Sequence, residues 1–299
     1  YKRQKSVSEC DVLFSIGTRF NDRITGDLNE FAPKAKIVHI DVDTASISRN
    51  VVVDVPIVSD AKLALEKLLE WAEPKDTAAW QERIKAWDEK NPLEMRRDRG
   101  MTPQMIMEHI NHTFDEAVFV TDVGQNQMWA AQLWKCNQPR RFITSGGLGT
   151  MGFGFPAAMG ASVALKDKVI LNIAGDGSIQ MNIQELATCV EYNLPVINII
   201  INNGYLGMVR QWQEKLFNKH YSETKISGPD FVKVAEAYGA KGFRVTKEEE
   251  IEPVMKAAIE SKQPVFIDFV VEECEMVYPW VLAGNPLNKV LLSNSCPIN

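Results

Sequence analysis

Two stretches, KVILNIAGD at 168–176 and LPVINIIINN at 194–203, are nearly unbroken runs of aliphatic residues that end in glycine, aspartate or asparagine. A strand with one wet face alternates apolar and polar side chains, whereas a run without alternation fits a parallel sheet covered on both faces. Shorter runs of the same kind, AVFVTD (117–122), RFIT (141–144), GFRVT (242–246) and PVFIDFV (264–270), surround them. Segments of helical spacing lie between, at 103–114, 125–134, 153–165, 181–193, 207–217, 230–238 and 247–261. Strand and helix in turn imply a doubly wound α/β domain over 103–273.

The remainder of the 299 residues leaves room for a second domain. DVLFSIG (11–17), AKIVHIDVD (35–43) and VDVPIVSD (53–60) read as strands, and the last leads into an amphipathic helix carrying Leu63, Leu65, Leu68, Leu69 and Ala72. Residues 1–75 are therefore expected to form part of a Rossmann-like domain. The charged stretch 76–102 reads as a connector, and 274–299, with Pro279, Gly284 and Pro286, as an irregular tail or lid. The chain starts at Tyr1, just before its first strand run, and reads as a fragment of a longer subunit.

A net charge of -6 without any block of Lys and Arg points away from nucleic acid and membrane surfaces as partners. With no apolar run of about 18 residues and no signal-peptide core, a soluble, cytoplasmic protein is expected. Cys10, Cys136, Cys189, Cys274 and Cys296 are scattered without a CxxC pair, which suggests neither zinc nor a disulfide frame.

Gly175-Asp176-Gly177 closes one long strand and Asn202-Asn203 the other. Ligands of an open parallel sheet bind beyond the carboxyl ends of its strands, so both clusters should face one crevice. A diphosphate with Mg²⁺ needs hard oxygen ligands, which Asp176 and the Asn203 amide can supply. The glycines allow close backbone approach, and the amides of Gly177 and Ser178 can point at a phosphate oxygen. Taken singly, each cluster is an ordinary turn or strand stop. A further glycine cluster, SGGLGTMGFGFPAAMGAS (145–162), leads into a helix whose Gly154, Ala157, Ala158 and Gly160 are expected to pack closely on the sheet.

The spacing of these two clusters resembles the signature of thiamine-diphosphate enzymes, and NNGYLGMVRQWQ (202–213) resembles the acetolactate synthase family in particular. That resemblance implies thiamine diphosphate contacts at Gln125, Asn126, Gly149, Thr150, Met151, Asp176, Gly177, Ser178, Asn203, Gly204, Tyr205, Leu206, Gly207 and Met208. It implies a Mg²⁺ shell from Asp176, Asn203 and the Tyr205 carbonyl, with Met151 supporting the bent cofactor. Met208 and Val209 would line the active site, and Trp212 would face the second substrate. In DVGQNQMWAAQ (122–132) Asn126 stands where the family usually has His.

IGTRFNDRITG (16–26) and HIDVD (39–43) resemble the family's FAD-contacting segments. The implied FAD contacts are Gly17, Thr18, Arg19, Phe20, Asn21, Asp22, Asp41, Val42, Asp60 and Ala61, and Arg23 would hold a ketoacid carboxylate. The implied reaction decarboxylates pyruvate and joins the two-carbon remainder to pyruvate or 2-oxobutyrate, in branched-chain amino-acid biosynthesis. The family further implies a homodimer or tetramer and a small regulatory subunit. A flavin-dependent pyruvate oxidase, a 2-ketoacid decarboxylase of the same fold, or a catalytically silent cofactor-binding fragment stay open as alternatives.

Overall fold

The computed structural model of the protein describes residues 2–92, 97, 100–114 and 116–292; Cys296 and the end of the expected tail lie outside the described residues. Chain contacts divide it into two compact units, residues 1–94 with 278–299, and residues 95–277.

In the first unit, helix α1 (Lys2–Glu9) precedes strand β1 (Val12–Ile16), short helix α2 (Asp22–Thr25), β2 (Lys36–Asp41), β3 (Val55–Val58), α3 (Ala61–Leu69) and α4 (Ala78–Lys90). The strands form one parallel sheet in the order β1-β2-β3. Asp60 starts α3 by accepting the amides of Lys62 at 2.9 Å and Leu63 at 3.3 Å, an N-cap that satisfies two otherwise free donors. Phe20, Phe31 and Ile37 make a small core with Leu287, which comes from the far end of the chain.

The stretch read as tail or lid therefore divides between the units. Val277 is the last residue of the second unit, and the described residues beyond it belong to the first, as an antiparallel hairpin of Trp280–Val281 with Val290–Leu291. The Asn285 carbonyl accepts the Asp27 amide at 3.1 Å. The stretch read as a connector contains α4, which is tied to α1 by Lys2 and Asp88 at 2.6 Å.

The second unit comprises α5 (Pro103–Thr113), β4 (Val118–Thr121), α6 (Gln125–Leu133), β5 (Phe142–Thr144), α7 (Gly154–Ala164), β6 (Ile170–Gly175), α8 (Asp176–Ile179), α9 (Leu186–Glu191), β7 (Val196–Asn202), α10 (Gly207–Leu216), α11 (Phe231–Tyr238), β8 (Lys241–Val245), α12 (Ile251–Ser261) and β9 (Val265–Val270). Its six strands are all parallel, in the order β5-β4-β6-β7-β9-β8. Leu171, Ile173, Ile197, Ile199 and Ile201 pack on one face with residues of α5, α6 and α12, while Ile170, Ala174, Val196 and Ile200 pack on the other with α7, α9 and α11. Burial on both faces explains the absence of alternation in the sequence. Asn172 and Asn198 interrupt the apolar runs, and their side chains bond to each other across the sheet at 2.8 Å.

Two local expectations fail. The single helix at 181–193 breaks, because Asn182 leaves helical geometry (φ -136°, ψ 34°) and its amide donates to the Gly152 carbonyl at 2.7 Å. Gly160 does not pack on the sheet: it is exposed on α7, and a Cβ there would meet nothing within 4 Å. Gly154 does, since its Cβ would stand 2.6 Å from the Asp122 nitrogen.

Candidate active site

The strands β4, β6 and β7 are neighbours, and their carboxyl ends deliver three loops to one pocket: Val123 to Asn126, Gly175 to Ser178, and Ile201 with Asn203 and Tyr205 to Val209. Register explains the convergence, since Gly175 lies opposite Ile201. Asp176 Oδ2 accepts the Gly204 amide at 2.9 Å and Asn203 Oδ1 accepts the Tyr205 amide at 3.1 Å, so one short turn binds both motif oxygens.

Asp176 is 3% exposed. Burial pushes its carboxyl up to about 7, against the opposing pull of the Gly177 and Gly204 amides, and the Asp268 carboxylate adds to the rise. A buried carboxylate this reluctant to ionise gains from a cation beside it. Among the described residues no group of three His, Cys, Asp or Glu side chains could hold a metal ion. The donors here are instead one carboxylate and neutral oxygens, a set that fits Mg²⁺ completed by phosphate oxygens rather than a metal caged by protein. Among the described residues that line the pocket, Asp176 is the one acid and none carries a cationic side chain.

Backbone approaches closely at two glycines. A Cβ on Gly177 would stand 2.9 Å from Leu206 Cδ2, and one on Gly207 only 2.0 Å from Gln125 Oε1. Gln125 lines the pocket and joins a chain of buried amides. Asn203 Nδ2 donates to Gln125 Oε1 at 3.3 Å, and Gln125 Nε2 donates to Gln211 Oε1 at 2.8 Å. Asn126 also lines the pocket, but its Nδ2 donates to the carbonyl of Ile173, within β6, at 3.0 Å.

Met151, Leu206, Met208 and Val209 give the pocket an apolar wall, together with Trp129. The loop bearing Met151 is held by Asp122, whose two oxygens accept the amides of Gly152 at 2.8 Å and Gly154 at 2.9 Å. Gly149 and Thr150 are exposed, and neither they, nor Gly204, nor Trp212, which is half-buried on α10, are among the pocket's lining residues. Asp122, Trp129, Asn182 and Gln211 escape sequence reading. Asp122 had a signal, an acid at a strand end with a glycine cluster to follow; Gln211 had none, since glutamine on a helix is ordinarily solvated.

The expected flavin residues lie in the first unit, at the carboxyl ends of its three strands. Gly17 follows β1 and bonds the Ile40 carbonyl at 2.9 Å, Asp41 ends β2, and Asp60 and Ala61 follow β3. The carbonyls of Arg19 and Phe20 accept from Asn50 Nδ2 at 3.1 and 3.2 Å. Phe20 is 3% exposed and packs on His39, so its ring belongs to the core, and the Asp60 carboxylate is engaged as a helix cap. Thr18, Asn21, Asp22 and Val42 are surface residues or nearly so, and Arg23 is exposed on α2.

The second unit's pocket has the parts of a diphosphate site at the carboxyl edge of a parallel sheet. Residues 122–269 match the thiamine pyrophosphate enzyme C-terminal TPP binding domain, and residues 1–68 match the thiamine pyrophosphate enzyme central domain. The chain belongs to the thiamine pyrophosphate enzymes. Within them it is similar to acetolactate synthase large subunits: 45% identical to that of Parasynechococcus marenigrum over 93% of this chain and 46% of the relative. It is 45% identical to a probable one of Methanocaldococcus jannaschii, over 96% of this chain and 50% of the relative. For the isozyme 3 large subunit of Escherichia coli the identity is 40%, over 99% of this chain and 54% of the relative. The chain thus spans about half the length of the curated relatives it matches.

Proposed function

We propose that this chain supplies the cofactor-binding half of an acetolactate synthase, which decarboxylates pyruvate and condenses the two-carbon remainder with a second 2-ketoacid. The observation that carries the reading is the convergence of Asp176 and Asn203 on the Gly204–Tyr205 turn, in a chain whose match to one such large subunit takes in 96% of its own length and half of the relative's. Thiamine diphosphate, when bound, supplies the electron sink that decarboxylation of a 2-ketoacid requires.

The chain's own residues bind and orient. Asp176, Asn203 and the Tyr205 carbonyl are the Mg²⁺ ligands of this reading, and the Gly177 and Ser178 amides serve the diphosphate. Met151, Met208 and Val209 exclude water from the reacting end, which strengthens every polar interaction there. Gly149 and Thr150 are assigned to the cofactor as well, and Trp212 to the apolar side of the second ketoacid. The Arg23 guanidinium is suited to a ketoacid carboxylate, which it can bind through two parallel hydrogen bonds. FAD is assigned to Gly17–Asp22, Asp41, Val42, Asp60 and Ala61 as a structural cofactor, since the reaction has no redox step. Cytoplasmic location, a homodimeric or tetrameric enzyme and a regulatory subunit complete the proposal.

The test is acetolactate formation from pyruvate by the complete subunit carrying these residues, with and without thiamine diphosphate, Mg²⁺ and FAD. Product that requires all three supports the reading; acetaldehyde or peroxide in its place reassigns the chain to a decarboxylase or an oxidase.

A further inference from the structure

Gln211, one turn into α10, is completely buried, although no substrate or cofactor role falls to it. Its amide is bonded at both ends to a single residue. Gln211 Nε2 donates to the Val277 carbonyl at 3.0 Å, and Gln211 Oε1 accepts the Val277 amide at 2.9 Å. A side-chain amide can rotate end for end and exchange its donor with its acceptor, but a peptide group cannot. Val277 therefore fixes which end of Gln211 is oxygen.

The fixed polarity passes along the chain of amides. Gln211 Oε1 also accepts from Gln125 Nε2 at 2.8 Å, so Gln125 must turn its own oxygen the other way, toward Asn203. Gln125 Oε1 then accepts Asn203 Nδ2 at 3.3 Å, and Asn203 is left with its oxygen on the Tyr205 side, where it accepts that amide at 3.1 Å. If Gln125 reversed, its Nε2 would face the Asn203 NH₂ donor to donor, and Asn203 would either lose that bond and its fixed position or turn over and set an NH₂ group against the Tyr205 amide, where a cation too needs an oxygen. We infer that Gln211 is a positioning residue that sets the amide orientation of Asn203 through Gln125, taking its reference from the Val277 peptide. This rests on the proposed reading of Asn203 as a Mg²⁺ ligand.

The test uses the full-length protein and measures Mg²⁺ affinity at saturating thiamine diphosphate, by quenching of tryptophan fluorescence, alongside thermal unfolding. Gln211→Met keeps the volume but removes the reference, and should weaken Mg²⁺ affinity by about tenfold or more, the usual scale for groups that orient a metal ligand. Gln211→Glu still offers Gln125 an oxygen, so it should retain Mg²⁺ affinity within about threefold of wild type, a small fraction of that orienting effect. It should also unfold at a lower temperature than Gln211→Met, because it buries a carboxyl against the Val277 carbonyl. A merely structural residue would give the opposite order, with Mg²⁺ affinity following stability. Equal Mg²⁺ affinity for wild type and Gln211→Met, or weaker affinity for Gln211→Glu than for Gln211→Met, overturns the inference. A wild-type protein whose thiamine diphosphate binding ignores Mg²⁺ overturns the metal reading itself.

Discussion

The carboxylate of Asp176 accepts the backbone amide of Gly204 at 2.9 Å, bonding the end of one central strand directly to the turn that follows the next. The pocket's two motifs are thus tied by a direct contact, and the contact is made by a group that burial discourages from ionising.

A pH dependence follows. The Asp176 carboxyl rises from 3.8 to about 7 in the folded chain, so the fold holds this proton more tightly than the unfolded chain does. The associated stability is fully present below pH 3.8 and is lost as pH rises through about 7, where the ionised group costs the metal-free fold up to about 4 kcal/mol. Asp176→Asn should unfold at a higher temperature than wild type at pH 8, with the gap closing toward pH 5, while Mg²⁺-dependent thiamine diphosphate binding disappears. A gap that does not change with pH would refute the assignment.

Asp122 should matter to the fold more than a surface acid does. Asp122→Ala leaves the buried amides of Gly152 and Gly154, and that of Val123, without their acceptor. At about 1–3 kcal/mol for each unsatisfied buried group, the two buried amides alone should bring the loss to at least about 2 kcal/mol in urea unfolding, with Asp122→Asn falling between. A change below about 1 kcal/mol would show that the loop needs no such anchor.

Two glycines should respond in opposite ways to one added methyl group. Gly207→Ala drives a carbon to within 2.0 Å of Gln125 Oε1 and 3.0 Å of Asn203 Nδ2, and should weaken cofactor binding by about tenfold or more in calorimetry. Gly160→Ala meets open space inside a helix and should stabilise the protein by up to about 1 kcal/mol without touching cofactor affinity. The reverse pattern would mean that the pocket backbone adapts freely.

Trp212→Leu tests the assigned substrate contact. In the complete enzyme it should shift the product ratio away from 2-oxobutyrate by about tenfold, since lost apolar contact of this size is worth about 1–3 kcal/mol. An unchanged ratio would assign the half-buried indole to packing alone.

The second sheet was legible in the sequence because strands buried on both faces leave no polar alternation, and β6 and β7 are the plainest cases. The two motifs were legible because their residues have few other reasons to crowd at adjacent strand ends. Asn182 was hidden for a physical reason: the helix break depends on its bond to the Gly152 carbonyl, a partner far away in sequence. Gln211 was hidden because a long-range peptide group, that of Val277, converts a common surface residue into a buried one. Gly160 looked like Gly154 because both sit in one small-residue helix, and only the helix's rotation about its axis distinguishes them.

The pocket's lining holds one carboxylate and, among the described residues, no cationic side chain. Such a cradle repels a bare polyanion, and it offers a bare dication little beyond that single acid. Under the proposed reading, neither guest gains much from arriving alone, whereas each supplies the charge the other lacks. Filling then scales with the product of two concentrations instead of either one. On that reading the site would act as a coincidence detector, sharply responsive to magnesium when the organic guest is plentiful and indifferent to it when that guest is scarce.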